Sequence, residues 1–183
     1  MKAPAVDQIA AGRSHRTPSP DSQAVWALLA EVPDPEIPVI SIVDLGIVRS
    51  VELDETSVLI KLLPTFVGCP AIEAMRAAVA ERLTGFRPTV VVEVTFAEPW
   101  TSDRISPRGR ARLRSSGFAP PESTAGAAVA TTFVPLASLG PAAQCPYCGS
   151  RHTRLESAFG PTLCRSIHHC LDCRQPFEQF KTV

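Results

Sequence analysis

Apolar residues recur at helical spacing in two segments of the N-terminal half of the chain. In segment 21–32 they follow two residues that can cap a helix, and Pro33 ends the pattern. In segment 71–83 they form a single stripe at spacings of three and four residues, and Gly85 ends it. Each segment therefore predicts an amphipathic helix.

A second pattern, rich in β-branched residues, fills three other segments. Segments 47–53 and 57–63 are separated by three polar residues, which is typical of a hairpin turn between antiparallel strands. Segment 89–96 predicts a third strand. The pattern thus predicts a hairpin that is followed by a helix and another strand.

A weaker helical pattern covers 105–113, with Ser102 or Asp103 as its cap. The order of the elements is then α-β-β-α-β-α, which predicts an α+β fold with a small mixed sheet and packed helices. We expect this domain to span residues 21–116.

The remaining segments differ from this domain in composition. Residues 1–20 contain three prolines and no hydrophobic period, so we expect a disordered tail. Residues 117–143 are dominated by Ala, Pro, Ser, Thr and Gly, with one short strand pattern at 131–136, and predict a linker. Residues 144–183 contain two cysteine pairs and predict a small zinc-ribbon-like module.

Composition narrows the classes of function. The 183 residues are 45% hydrophobic, enough for one core with a small appendage. Eighteen Lys and Arg balance eighteen Asp and Glu, and the C-terminal module is only mildly basic, so nucleic acid is disfavoured as a partner. The apolar runs are too short to span a membrane, and the first twenty residues lack the apolar stretch of a secretory signal. We expect a cytoplasmic protein with no membrane partner.

The strongest chemical signal is a pair of C-x2-C motifs in the C-terminal module. Cys145 and Cys148 form the first motif, Cys170 and Cys173 form the second, and 21 residues separate them. Two tight turns can aim four sulfurs at one ion, and a structural zinc prefers a tetrahedron of such ligands. Without a secretory signal, metal binding is favoured over the alternative, a pair of disulfides. The module therefore predicts a closed metal site, with zinc ahead of iron.

Other residues of this module offer alternative ligands. Cys164 lies between the two motifs and can replace a ligand or serve as a separate thiol. His152, His168 and His169 are near enough in sequence to compete for the ion, although a lone histidine is more often a surface or packing residue. The two motifs already supply four sulfurs, so we leave Cys164 outside the site.

Another cysteine, Cys69, stands before Pro70 at the predicted start of the second helix. The partial positive charge of a helix N-terminus favours a thiolate, so we expect a lowered pKa for Cys69. A thiolate can ligate iron or attack a disulfide, whereas a buried cysteine can equally be a small apolar filler. Asp34 and Glu36, in a proline-rich turn, either cap backbone groups or border this cysteine.

Several short motifs occur in an order that resembles the SufT-like iron–sulfur assembly family. They cover about residues 21–115 and are Asp34-Pro-Glu-Ile-Pro38, Asp44-Leu-Gly46, Pro64-Thr65, Gly68-Cys69-Pro70 and Pro99-Trp100-Thr101. The cysteine module that follows is similar to that of the PaaD family, the accessory subunits of bacterial phenylacetyl-CoA oxygenase systems. Together the two resemblances cover nearly the whole chain.

The resemblance implies a role in assembling iron–sulfur clusters, or in inserting them into the multicomponent oxygenase or reductase that epoxidises phenylacetyl-CoA in aerobic phenylacetate degradation. It implies transient cluster handling by Cys69, bordered by Asp34, Glu36 and Thr65. It also implies contacts with the iron–sulfur assembly machinery and no catalysis of the epoxidation. The alternative is a non-catalytic structural or adaptor subunit of the oxygenase, which recognises its partner through the ribbon and the arginine cluster at 104–114.

Overall fold

A computed structural model describes residues 20–122 and 143–181 of the chain. None of the helices in these two ranges is long and apolar enough to cross a membrane. A short 3-10 turn, Ser102–Arg104, precedes the last helix. The helices and strands are α1 (Pro20–Leu29), β1 (Val48–Leu53), β2 (Ser57–Leu62), α2 (Ile72–Arg82), β3 (Thr89–Val94), α3 (Pro107–Ser115), β4 (Phe118–Ala119), β5 (Thr153–Ser157), β6 (Arg165–Cys170) and β7 (Pro176–Phe180).

The first sheet is mixed and has the strand order β1-β2-β3. Strands β1 and β2 form an antiparallel hairpin, whereas β2 pairs in parallel with β3 and α2 makes the crossover between them. Val58, Ile60 and Leu62 point from β2 into the core, and α2 adds Met75 and Val79 to the same cluster of buried side chains. This arrangement confirms the predicted α+β fold with a small mixed sheet and packed helices.

The last helix starts later than the sequence pattern predicts. The predicted caps at 102 and 103 belong to the 3-10 turn, and α3 begins at Pro107. The hydroxyl of Ser106 accepts a hydrogen bond from the Gly109 N–H at 2.9 Å, and Pro107 occupies the first turn, where its missing N–H is not needed. The prediction chose the wrong serine because both Ser102 and Ser106 precede a helical pattern.

The second sheet has the strand order β4-β7-β6-β5. Strand β4 pairs in parallel with β7, and the other two pairs are antiparallel. Strand β4 comes from Phe118–Ala119, a segment that the sequence pattern assigned to the linker. The strand predicted at 131–136 lies outside the described residues, as does the predicted tail up to residue 19.

The second sheet packs against the N-terminal domain. Phe180 at the end of β7 is buried against Trp100, and their ring centroids are 5.7 Å apart. The indole N–H of Trp100 donates a hydrogen bond to the Leu45 carbonyl at 3.1 Å. Phe180 and Cys164 belong to the same buried cluster as the core of the first sheet. The C-terminal module, residues 143–181 and hereafter the ribbon, therefore shares a core with the N-terminal domain.

Some of the arginines at 104–114 are engaged within the domain. Nε of Arg108 lies 3.0 Å from Oδ2 of the buried Asp44, and Arg110 donates a hydrogen bond to the Ser102 carbonyl at 2.6 Å. Burial raises the pKa of Asp44, but hydrogen bonds from Ser106 and Arg108 outweigh it and hold that pKa below its usual value. These contacts anchor α3 to the domain and reduce the number of arginines available to a partner.

Candidate functional site

Cys69 lies in the loop that joins β2 to α2. Gly68 has a φ of +80°, a left-handed conformation that favours glycine. Helix α2 begins at Ile72 with Ala71 as its N-cap, so Cys69 and Pro70 precede the helix rather than begin it. The loop leaves the Cys69 side chain half-buried.

Three polar residues were predicted to border Cys69, and the structure gives them different positions. Glu36 and Thr65 line a small cavity together with Cys69. Asp34 is 4% exposed, and its Oδ1 accepts hydrogen bonds from the N–H groups of Glu36 at 2.9 Å and Ile37 at 2.7 Å. Burial raises the pKa of Asp34, although these two hydrogen bonds oppose the shift. Asp34 thus caps the backbone of its turn and is near enough to act on Cys69 through its charge.

The predicted lowering of the Cys69 pKa is wrong. Burial raises the pKa of this thiol, and the carboxylates of Glu36 and Asp34 raise it further. The backbone N–H groups of Ala71 and Ile72 act in the opposite direction, as expected near a helix start, but they do not outweigh burial. Cys69 is therefore protonated at neutral pH until a ligand or reaction partner displaces the proton.

Substitution of Glu36 by glutamine is expected to lower the pKa of Cys69. The substitution removes the stronger of two negative charges near the thiol, so more thiolate is present at a given pH. We expect alkylation of Cys69 by iodoacetamide at pH 8 to become faster by a factor of roughly 2 to 5. Peptide mass spectrometry over a series of pH values measures the rate for this one cysteine.

The matched control for this experiment is Glu55→Gln, in the exposed turn between β1 and β2. It removes the same charge from a position that does not affect the Cys69 thiol. Equal alkylation rates in Glu36→Gln and Glu55→Gln would show that the Glu36 carboxylate does not act on Cys69.

The ribbon closes the Cys69 cavity from the other side. Thr162, Leu163 and Cys164 line the same space as Cys69. The volume of the cavity is about 20 Å³, close to the space that one water molecule needs. Sequence analysis left Cys164 outside any site because nothing in the local pattern connects it to Cys69, which is far away along the chain.

The four cysteines of the two C-x2-C motifs come together at one end of the ribbon. Their Sγ atoms all lie within 4.8 Å of one another, and the pairs Cys145–Cys173 and Cys148–Cys170 are 3.6 and 3.5 Å apart. Sulfurs that each lie about 2.3 Å from a tetrahedral zinc are about 3.8 Å from one another. The four sulfurs therefore suit a single tetrahedral metal ion. Within 20–122 and 143–181, no other group of three or more such ligands occurs.

Two of these thiols have pKa values that are shifted in opposite directions. The backbone N–H of Cys173 lowers the pKa of Cys170 to about 7, although burial opposes it. The pKa of Cys173 rises to about 12, because burial and three neighbouring thiols outweigh the backbone N–H of Gln175. A metal ion must displace the remaining protons, so its affinity falls as the pH falls.

Each cysteine pair lies in a tight turn of the same form. In the first turn, the Cys145 N–H donates to the Ser150 carbonyl at 2.9 Å, and Gly149 has a φ of +76°. In the second turn, the Cys170 N–H donates to the Gln175 carbonyl at 3.0 Å, and Arg174 has a φ of +59°. The residue after the second cysteine is thus left-handed in both turns, but it is glycine in only one of them.

This difference predicts opposite effects of two substitutions on metal affinity. Gly149→Ala places a side chain in a left-handed conformation, which costs about 1 kcal/mol, and zinc affinity should fall by a factor of about 5. Arg174→Gly relieves about 1–2 kcal/mol of the same strain, against a glycine entropy cost of about 0.4–1 kcal/mol, so zinc affinity should rise slightly. Competition with a chelator measures both, and a shift in the same direction for the two variants would contradict this explanation.

The histidines considered as alternative ligands lie outside the four-sulfur group. Nδ1 of His152 is 3.0 Å from Oδ1 of Asp172 at the surface. His168 is buried and stacks on Phe177, with ring centroids 5.5 Å apart. His152 therefore has a surface role and His168 a packing role, as histidines commonly do.

Comparison with known proteins matches both parts of the chain to described families. The family described as iron-sulfur cluster assembly protein matches residues 22–96, and the family described as PaaD zinc beta ribbon domain matches residues 133–181. A protein of Escherichia coli (strain K12), named as one subunit of a "Putative 1,2-phenylacetyl-CoA epoxidase", is 42% identical over 166 residues. This match covers 90% of the chain and 94% of that protein.

Solved structures match about half of the chain. A domain of unknown function, DUF59, from Bacillus anthracis is 29% identical, with a TM-score of 0.48, over 51% of this chain and 91% of its own length. A conserved hypothetical protein from Thermotoga maritima is 27% identical, with a TM-score of 0.44, over 54% of this chain and 98% of its own length. From the two family matches and the identity to the E. coli protein, the chain belongs to the PaaD family, in which an iron–sulfur cluster assembly domain is joined to a zinc ribbon.

Proposed function

We propose that this protein is an accessory factor that assembles iron–sulfur clusters, or inserts them, for the multicomponent oxygenase and reductase that epoxidise phenylacetyl-CoA in aerobic phenylacetate degradation. The support is the E. coli relative named as part of that epoxidase, together with the match of residues 22–96 to an iron–sulfur assembly family. In this proposal the epoxidation belongs to the oxygenase, and this chain has no catalytic step of its own. Its partners are the oxygenase or reductase subunits and the iron–sulfur assembly machinery.

The observation that carries the proposal is the position of Cys69. It is a half-buried thiol in a loop of the assembly domain, and Glu36 and Thr65 line the cavity beside it. Thiolate sulfur is a soft ligand that suits iron, and the iron is cargo here rather than a resident cofactor. Because the pKa of Cys69 is raised, protons compete with iron for this sulfur, which favours release as well as binding.

We infer that the ribbon binds a structural zinc ion through Cys145, Cys148, Cys170 and Cys173. The separations of the four sulfurs fit a tetrahedral ion, and a closed four-cysteine site leaves no position open for chemistry. In this proposal the ion stabilises the ribbon, and the ribbon contacts the recipient of the cluster. The ribbon also has exposed apolar side chains, such as Tyr147 at 58%.

The test is co-expression of the protein with the oxygenase and reductase subunits. In cells that carry Cys69→Ser, we expect the recipient to lose most of its iron and acid-labile sulfide, and the epoxidase activity to fall in proportion. Val67→Ala, at an 86% exposed position of the same loop, is the matched control and should leave the recipient fully loaded. A recipient with normal iron and sulfide in Cys69→Ser cells would refute cluster handling by Cys69.

The second candidate function is a non-catalytic structural or adaptor subunit of the oxygenase. The name of the E. coli relative, which calls it a subunit, favours this alternative. An adaptor remains bound at a fixed ratio to the oxygenase throughout purification, whereas an assembly factor leaves the mature enzyme. Activity that depends on the continued presence of this chain, after the oxygenase has been fully loaded with clusters, would favour the adaptor.

A further inference from the structure

The cavity beside Cys69 contains a second thiol, which comes from the ribbon. Cys69 and Cys164 both line this space of about 20 Å³, which is enough for one water molecule or one metal ion. The remaining side chains around it include one carboxylate, on Glu36, and two hydroxyls, on Thr65 and Thr162. The two sulfurs are soft ligands of the kind that suits iron, although Glu36 does not complete a group of three metal-ligating residues with them.

Cys164 is held in place by a tight turn at the start of β6. Its Sγ lies 3.1 Å from the hydroxyl oxygen of Thr162, and this oxygen also accepts a hydrogen bond from Nε of Arg165 at 2.9 Å. The Lys181 N–H, just after β7, donates to the Cys164 carbonyl at 2.9 Å. These contacts anchor Cys164 in the turn just before β6, whereas Cys69 lies on a loop of the N-terminal domain.

The charges around the cavity come from both parts of the chain. Arg165 is 7% exposed, and its guanidinium is 2.9 Å from a carboxylate oxygen of Glu178. Asp34 and Glu36 act on both thiols through their negative charge, and Arg165 opposes them at Cys164. The carboxylates favour a cation in the cavity, and Arg165 limits the net negative charge once two thiolates have formed.

The metal site of the ribbon does not account for Cys164, and packing does not account for its sulfur. It lies outside the four-sulfur group that suits zinc. It packs in the core shared with the N-terminal domain, where any small apolar residue would fill the same space. A sulfur that shares a cavity with the proposed cluster-handling cysteine has a chemical use that such a filler lacks.

We propose that Cys164 is the second sulfur ligand of the cargo, so that one iron atom is held between the thiolates of Cys69 and Cys164. The inference rests on the proposed function, since it assigns a partner to Cys69 in iron handling. When the iron binds, each thiol loses a proton to solvent and its sulfur replaces a water on the metal, and no electron is transferred. The ribbon is then part of the iron site as well as a docking element.

The experiment uses the full chain, purified without oxygen and with the four-cysteine site filled by zinc. Ferrous iron is added as the probe, and its affinity is measured by competition with a chelator. We expect Cys164→Ser and Cys69→Ser each to weaken iron binding by at least about tenfold, because even the loss of an outer partner of a ligand costs about 10–100-fold. Leu155→Ala, which changes an exposed leucine of β5 that does not line the cavity, should leave the affinity unchanged.

X-ray absorption at the iron edge provides a second readout, because it counts the sulfur ligands of the iron directly. Two sulfur ligands per iron in the natural sequence, and one in either serine variant, would support the two-thiol site. Fewer than two sulfurs in the natural sequence, or a Cys164→Ser variant that binds iron as tightly as the natural sequence, would overturn it. Either of these results would leave the proposed function standing. The proposed function falls only if the recipient oxygenase has normal iron and sulfide in cells that carry Cys69→Ser.

Discussion

Removal of the metal by a chelator is expected to unfold the ribbon. Among the described residues, the buried cluster beside the four-sulfur group has five members, of which Ala119 comes from β4 and two are cysteines of that group: Ala119, Ala143, Cys145, Cys170 and Phe177. So small a core cannot offset the chain entropy of folding, and structural zinc contributes about 10–16 kcal/mol in comparable small modules at pH 7. Amides of residues 145–180 should lose their protection from hydrogen exchange when the metal is removed and regain it when zinc is restored.

Two cysteine variants separate the role of the metal from the role of the thiols. Cys148→Ser removes a sulfur of the four-sulfur group at an exposed position, so it takes away little packing. Cys164→Ser changes a ribbon cysteine outside this group and is the matched control. We expect zinc to be lost from the first variant and to stay at one per chain in the second. A ribbon that keeps its protection after chelation, or in zinc-free Cys148→Ser, would contradict a metal-dependent fold.

Loss of the ribbon should also change the fluorescence of the N-terminal domain. Trp100 is 2% exposed and packs against Phe180 of the ribbon, so unfolding of the ribbon opens one side of its indole to water. Its emission should shift to longer wavelength on chelation. The other tryptophan, Trp26, is half-buried in α1, and Trp26→Phe isolates the signal.

The features that could be predicted from the sequence are those with a local cause. Helix α2 and the hairpin of β1 and β2 follow the spacing of apolar residues over one or two turns or strands. The C-x2-C motifs bring their sulfurs together through turns of a few residues, so their spacing alone indicates a metal site. The order of short motifs was enough to identify the family, which the comparisons confirm.

The features that were missed depend on contacts between distant parts of the chain. Strands β5 to β7 have little hydrophobic alternation, and they form around the cysteine group rather than around a large core of their own. The approach of Cys164 to the Cys69 cavity requires the ribbon to pack on the N-terminal domain, which no local pattern shows. The predicted direction of the Cys69 pKa shift was wrong. A helix start is visible in the sequence, whereas burial and the nearby carboxylates, which raise this pKa, are not.

The packing of the ribbon on the N-terminal domain predicts a large loss of stability for Phe180→Ala. Phe180 is 1% exposed and contributes to the core of the other domain, where its ring contacts Trp100. Truncation of a buried phenylalanine leaves a cavity and costs about 3–5 kcal/mol of the free energy of unfolding. The zinc content should remain at one per chain, because the four sulfurs do not depend on this side chain. Urea denaturation with zinc present measures the loss.

Phe159→Ala is the control for this prediction. Phe159 is also a ribbon phenylalanine, but it is 65% exposed, and its ring contacts only the Lys181 ammonium among the aromatic and cationic groups described, at 4.6 Å. Its truncation should cost less than about 1 kcal/mol. A double-mutant cycle of Phe180→Ala with Trp100→Leu should give a coupling energy of about 0.5–1.5 kcal/mol, as expected for two rings in contact. If Phe180→Ala lowers the free energy of unfolding by no more than Phe159→Ala does, the two parts of the chain do not share a core. Nothing would then hold Cys164 at the Cys69 cavity.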